Sequence, residues 1–372
     1  MNIKSPNPIF RLTHQSLYID YPLLGLILLL ITMGLVILYS ASNQSLDMVL
    51  RQGVRLFLAL GVMLAFSFIP PHKYKLWAPW LYATGLLLLL AVVVMGKIGK
   101  GAQRWLDLSL FRFQPSEIMK LAVPLMAAWY IDRRPIQRNF KALISVALII
   151  FIPAILIAKQ PDLGTAIMVV ASGLSVIFLA GISLQIILMT LIAVAITLPY
   201  LWHGMHDYQK ERIITLLNPQ HDPLGSGYHI IQSKIAIGSG GAFGKGWLEG
   251  SQAHLSFLPE HATDFIFAVC GEEFGFIGSL VLMSLILLIS LRSMYIAKQA
   301  QTGFTQLLAA GLAMMFFLSA FVNIGMVMGI LPVVGIPLPL VSYGGTAMVT
   351  FLAGFGILMS ISTHRILFNQ IR

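Results

Sequence analysis

Phe257-Leu-Pro-Glu-His-Ala-Thr-Asp-Phe-Ile-Phe-Ala-Val-Cys-Gly-Glu-Glu-Phe-Gly-Phe276 is the stretch in which a long polar loop runs back into an apolar helix. It carries Glu260, His261, Asp264, Glu272 and Glu273. Asp264, Ala268 and Glu272 are spaced four apart, so a helix begun here sets both acids on one face, Glu272 about two turns deeper than Asp264. A carboxylate at the edge of an apolar helix is costly to desolvate and marks a functional site by default. Asp is also a good N-cap. Spacing alone leaves both readings open for Asp264.

Composition places this stretch in a membrane. The 372 residues are 58% hydrophobic and 10% charged, whereas soluble domains carry about 25% charged residues. Mean hydropathy is +0.85. Apolar runs occupy 22–41, 53–69, 76–95, 115–131, 142–158, 163–180, 182–201, 265–291, 305–330 and 340–361, each about the length of one crossing. The 163–201 stretch is divided at Gly181, being too long for one span and long enough for two. These runs predict an all-α polytopic membrane protein of about ten transmembrane helices, one integral domain over 1–372. Residues 1–21 form a polar lead, and 203–263 form one long structured loop outside the membrane.

Net charge is +10, which in such a chain means loops facing anionic lipid; there is no soluble basic domain for nucleic acid. Cys270 is the only cysteine, so an internal disulfide and a thiolate cluster are excluded. No histidine pair sits with an acid at ligand spacing, and no metal site is assigned. With the N-terminus inside, inner segments carry 12 of the 24 Lys and Arg residues, and the cluster Arg133–Lys141 sets the orientation with both termini cytoplasmic. The cations left outside then read as a surface for something anionic.

Within the long loop, Tyr228–Gly238 interleaves apolar and polar residues at helical spacing, which predicts a short interfacial helix. The glycine-rich run Gly238–Gly246 follows. It is either an anion nest or a linker, and it fits neither nucleotide-binding pattern, since Phe243 takes a glycine slot and Gly246 follows Lys245. A second polar constellation is Lys97–Lys120. Pro115, Ser116 and Glu117 are helix-start chemistry, and Glu117 and Lys120, three apart, can pair as a brace or line a cavity. Arg104 and Arg112 suit pyrophosphate, because guanidinium forks match phosphate oxygens. Asp162 reads as the cap of the sixth span. From Asn323 to Ala347 the breakers Gly329, Pro332, Gly335, Pro337, Pro339, Gly344 and Gly345 imply broken backbone at membrane depth, tolerated only where it is buried or lines a cavity.

Asn323, Gly329, Pro332, Gly335 and the run Pro339-Leu-Val-Ser-Tyr-Gly-Gly-Thr-Ala347 resemble the signature of the SEDS family (shape, elongation, division and sporulation). The stretches Gln114–Lys120, Gln160–Thr165, Gly227–Gly241 and Phe257–Val269 resemble its cell-elongation branch, and the similarity spans the chain. His261-Ala262 departs from the family's basic residue followed by a polar one. The resemblance implies a peptidoglycan glycosyltransferase that polymerises lipid II at the outer face of the bacterial inner membrane, in contact with membrane lipid, beside a class B penicillin-binding protein that crosslinks the glycan strand. It further implies that Asp264 is the essential acid; beside it, Arg104, Arg112, Glu117, Lys120, Gln232 and Lys234 are the expected substrate-binding residues. Inverting transfer needs one base on the acceptor hydroxyl while undecaprenyl pyrophosphate leaves. No resident cofactor is required, although a divalent cation can travel with the pyrophosphate. A lipid II flippase suits ten spans and broken helices equally well. An inert scaffold for the penicillin-binding protein would have no use for acids in the bilayer.

Overall fold

A computed structural model describes residues 18–95, 97–99, 102–107, 112–136, 139–205, 207–222, 225–254 and 260–364. Each apolar run becomes a helix: α1 Tyr21–Ala41, α2 Leu46–Ser67, α3 Pro71–Met95, α4 Pro115–Arg133, α5 Phe140–Lys159, α6 Leu163–Leu179 and α7 Leu184–Gly204. Between α3 and α4 lies a small antiparallel sheet, β1 Lys97–Gly99, β2 Ala102–Asp107 and β3 Arg112–Phe113, in the order β1-β2-β3. The long loop is ordered into α8 Asp207–Leu217, α9 Ser226–Gly240 and α10 Ser251–His254. The chain then returns through α11 Ile266–Lys298, α12 Gly303–Val327 and α13 Thr346–Thr363.

Side-chain caps fix several starts. Asp20, Ser45, Asn139, Asp162 and Ser183 each accept from an amide of the first turn of α1, α2, α5, α6 and α7. The capping read for Asp162 is therefore present, its Oδ1 accepting from the Thr165 amide at 3.3 Å. Several boundaries depart from the hydropathy runs by five residues or more, at the starts of α2, α3 and α13 and at the end of α11. α2 begins at Leu46 rather than at 53, because its first two turns are amphipathic and held by Arg51 on Asp47 at 2.9 Å. α13 begins at Thr346 rather than at 340, because the glycines and prolines before it cannot continue a helix although their neighbours are apolar.

The helices alternate in direction, giving one end at Ser42, where α1 hands over to α2, and another at Pro70, where α2 hands over to α3. Charge is paired at the Pro70 end: Arg292 forks onto Asp20 at 3.1 and 2.8 Å, and Lys75 meets Asp132 at 2.5 Å. Close packing uses small residues. A Cβ on Gly356 of α13 would lie 2.3 Å from the Met63 carbonyl of α2, and one on Gly173 of α6 would lie 2.5 Å from Ile150 of α5. The exterior is greasy, with Phe57 78% and Val94 81% exposed. Such a surface belongs in hydrocarbon. Among the described residues, seven helices are long and apolar enough to cross a membrane by length and composition, and the chain is a multi-pass membrane protein.

Because Gly356 sits against backbone, Gly356→Ala is expected to lower the apparent Tm of detergent-solubilised protein, at a cost of about 1–3 kcal/mol from overpacking. Gly25→Ala, with nothing within 4 Å of the new methyl, is the control. Equal melting of the two variants would contradict this packing.

Candidate active site

Asp264 is not a cap. The turn 260–265 precedes α11, whose capping position is Phe265, with no side-chain cap bond. Glu260 opens this turn at a positive φ of 52° and accepts from the Thr263 and Phe265 amides at 3.1 and 3.2 Å. The half-buried Asp264 therefore stands just before the helix, on backbone fixed by its own turn.

The broken segment 328–345 holds that turn from the other side. The fully buried Asn323 amide donates to the Asp264 carbonyl at 2.8 Å and to the Ile336 carbonyl at 2.7 Å. The Ser342 hydroxyl donates to the Thr263 carbonyl at 2.6 Å and accepts from the Leu338 amide at 2.8 Å. The Tyr343 amide donates to the Ala262 carbonyl at 2.9 Å. Of three successive carbonyls, 262 and 263 are thus tied to the segment itself and 264 to Asn323 of α12, which also holds the segment at Ile336. Gln52 of α2 ties the segment in turn, donating to the Ser342 carbonyl at 3.1 Å and accepting from the Gly344 amide at 3.4 Å.

Two glycines permit the close approach. Gly335 has φ +72°, and a Cβ on it would lie 3.5 Å from the Asp264 carboxylate. Gly329 has φ +67°, and a Cβ there would lie 2.3 Å from Lys234 Cε. Lys234 therefore runs across Gly329 from α9, which is anchored by the Ser233 hydroxyl on the Val327 carbonyl at 2.7 Å. Gln232, half-buried, is on the same helix.

Glu117 and Lys120 form an ion pair at 2.7 Å at the start of α4, both buried. Glu117 Oε2 has no hydrogen-bond partner among the described residues. It lines a cavity of about 810 Å³ between α2, α3, α4 and α13, within the ~300–1,000 Å³ range of ligand pockets. The walls are apolar from Leu58 and Val62 down to Ile69 and Tyr74, and Arg55 and Gly345 lie at the Ser42 end. Arg55 stacks its guanidinium 4.7 Å from the centre of the Tyr343 ring. Asp264 and Lys234 thus lie against the broken segment at Gly335 and Gly329, whereas Arg55 and Glu117 line the cavity, with Lys120 paired to Glu117.

Other expectations fare differently. Arg104 lies on β2 and Arg112 on β3, opposite Asp107 in register, but their side chains lie outside the described residues. The glycine-rich run is a brace, not an anion nest. Its Lys245 and Gly246 amides donate to the Glu272 and Glu273 carbonyls at 3.0 and 3.1 Å, and its Gly241 and Ala242 carbonyls accept from Phe276 and Ile277. It wraps the break in α11 at Gly275, where φ is +67°. Glu272 belongs to this brace, with Lys245 Nζ at 2.6 Å and Ser251 at 3.1 Å, so the two acids of the opening stretch have separate surroundings. Among the described residues, no group of three or more His, Cys, Asp or Glu side chains could hold a metal. Sequence reasoning passed over Gln52 and Arg55, whose only signal was polarity inside an apolar helix.

This architecture has known counterparts. The family model described as Cell cycle protein, covering FtsW, RodA and SpoVE, matches residues 21–366. The peptidoglycan glycosyltransferase MrdB of Escherichia coli K12 is 51% identical over 360 residues, 96% of this chain and 97% of that one. The peptidoglycan glycosyltransferase RodA of Treponema pallidum is 32% identical, covering 93% and 98%. A solved chain from a peptidoglycan synthase complex, described for structural coordination of polymerization and crosslinking, superposes with a TM-score of 0.81 at 34% identity, covering 92% of this chain and 97% of that one. The crystal structure of the Thermus thermophilus rod shape determining protein RodA gives 0.69 at 30%, covering 92% and 97%. With the whole bundle, the broken segment and the turn before α11 all inside the matched span, the chain belongs to the FtsW/RodA/SpoVE family, the SEDS proteins.

Proposed function

We propose that this chain polymerises lipid II into glycan strands, with Asp264 as the base that takes the acceptor's proton. The enzyme is a peptidoglycan glycosyltransferase. The observation that carries the mechanistic reading is the immobilised turn: carbonyls 262 and 263 are tied to the broken segment and carbonyl 264 to Asn323 of α12, so the carboxylate is held beside the bare backbone of Gly335. Preorganisation of this kind keeps a base in place without reorganisation during reaction.

In the transfer step the acceptor sugar hydroxyl gives its proton to the Asp264 carboxylate while its oxygen bonds to the donor's anomeric carbon. The bond from that carbon to the pyrophosphate oxygen breaks, and the leaving polyprenyl pyrophosphate takes the electron pair. The new linkage has inverted configuration, and the proton passes from Asp264 to water. One base suffices, without a glycosyl-enzyme intermediate. Lys234 and Lys120 would oppose the charge of the leaving group, joined by Arg104 and Arg112 from the sheet, and Gln232 would orient the headgroup. A divalent cation would enter with the pyrophosphate as part of the substrate.

The Ser42 end faces outward in this reading, with both termini in the cytoplasm and the whole chain acting as one domain. The partner is a class B penicillin-binding protein that crosslinks the emerging strand, supported by the likeness to a synthase complex that couples both activities. A flippase is disfavoured, since relatives matching nearly the full length of the chain carry the glycosyltransferase name.

Purified protein in detergent, with no gradient, is expected to polymerise lipid II. Asp264→Asn should lower the rate by about 10²–10⁴-fold, the contribution of a general base, with an unchanged elution profile and melting temperature. A folded Asp264→Asn that polymerises at the parent rate contradicts the assignment, and flipping without polymer from the parent protein would restore the transporter. The buried pair is tested separately. Lys120→Met should destabilise by about 3–5 kcal/mol by stranding Glu117, and Glu117→Gln with Lys120→Met should recover most of that loss. Recovered stability without recovered polymerisation assigns the pair to substrate binding; recovery of both makes it a structural brace.

A further inference from the structure

We propose that Arg55 is the anion anchor of the α2–α3–α4–α13 groove, fixing the phosphate ester of a long-chain lipid while the chain lies in the apolar channel below it. The assignment rests on the transferase reading and deepens it, naming a residue that holds the donor's pyrophosphate.

Arg55 stands nine residues inside α2, roughly 14 Å along its axis from Leu46. The first two turns of α2 are amphipathic, so Arg55 stands at the edge of the apolar run that begins at 53, where a guanidinium is costly unless something anionic meets it. Five cations of the described residues have acids: Arg51 has Asp47, Lys75 has Asp132, Lys120 has Glu117, Lys245 has Glu272 and Arg292 has Asp20, while Arg133 and Arg134 at the Pro70 end lie on the rings of Trp129 and Tyr130. Arg55 has no acid within ion-pair distance among the described residues, and its guanidinium lies over the face of Tyr343. Ring stacking leaves the edges of the guanidinium fork, with their N–H donors, open to a planar or tetrahedral oxyanion.

The surroundings fit one class of occupant. Below Arg55 the cavity is walled by Leu58, Val62 and Phe66 and runs on to Ile69, a channel for hydrocarbon. Beside it lies Gly345, where even a Cβ would meet Arg55 Cδ and Nε only at ordinary contact, 3.6 and 3.8 Å, so the guanidinium keeps its room. In the same cavity the buried Glu117 Oε2 lacks a partner among the described residues and can accept from a hydroxyl or amide of a sugar headgroup. The Tyr343 amide is bonded to the Ala262 carbonyl, two residues before Asp264, so an anion on Arg55 is registered against the base through one short stretch of backbone. A ligand with a long apolar chain, a phosphate and a hydroxylated head satisfies all of these groups together.

The test is equilibrium binding of radiolabelled undecaprenyl pyrophosphate to the purified full-length protein in detergent, alongside lipid II kinetics. Arg55→Gln should weaken binding by about 10-fold or more, the loss of a charge-assisted pair, and raise KM by a similar factor while kcat changes by less. Arg55→Lys, which keeps the charge but not the fork, should recover part of both. If Arg55→Gln does not fold, Arg55→Lys against the parent gives the same comparison with a smaller shift. Unchanged binding and KM in a folded variant overturn the proposal. Phosphatidylglycerol that displaces the label from the parent protein as well as unlabelled undecaprenyl pyrophosphate does would make this a bilayer phospholipid site and overturn the substrate assignment. Arg55-dependent binding in a parent protein that makes no polymer would sink the transferase reading while leaving the anchor standing.

Discussion

Backbone that leaves the helix inside a membrane must find every hydrogen-bond partner within the protein, because hydrocarbon offers none. The segment 328–345 satisfies this constraint in a particular way. Its amides and carbonyls are met by Asn323, Gln52 and Ser342, and part of its capacity goes to the turn carrying Asp264. The same bonds that make irregular backbone tolerable at this depth also immobilise the candidate base. Fold and site are one structure here, and Asn323, fully buried and donating to both strands of the junction, is its hinge pin.

Around this junction the charges fall into two groups. Lys75 and Arg292 at the Pro70 end and Lys245 in the brace over Gly275 are paired with acids and serve the bundle. Those beside the broken segment and the cavity are different. Arg55 has only an aromatic face, Lys234 is exposed across Gly329, and the Glu117–Lys120 pair leaves one carboxylate oxygen unmet among the described residues. Incomplete pairing around an apolar channel is the expected signature of a site whose remaining partner is an anionic, sugar-bearing lipid.

Much of this was legible in the chain before any coordinates. Ten crossings follow from hydropathy, since helix formation in lipid is nearly compulsory, and the spacing of Glu117 and Lys120 foretold their pairing. The breakers between Asn323 and Ala347 correctly signalled irregular backbone. Other features were hidden for physical reasons. The glycine-rich run looked like an anion nest because local sequence cannot show that its amides are taken by carbonyls of Glu272 and Glu273. Glu272 shared a helical face with Asp264 on paper, but α11 begins after Asp264 and breaks at Gly275. Gln52 and Arg55 act across 290 or so positions of sequence, on Ser342 and Tyr343, and only the fold brings those together.

The most direct test of the central claim is an experimental structure of the protein with a non-reactive lipid II analogue in both substrate positions. The expected result places the acceptor hydroxyl about 2.6–3.2 Å from the Asp264 carboxylate, the distance a general base requires, with a polyprenyl chain between α2 and α13. An acceptor sugar bound away from Asp264, with that carboxylate turned toward neighbouring protein and the turn 260–265 unchanged, would contradict it.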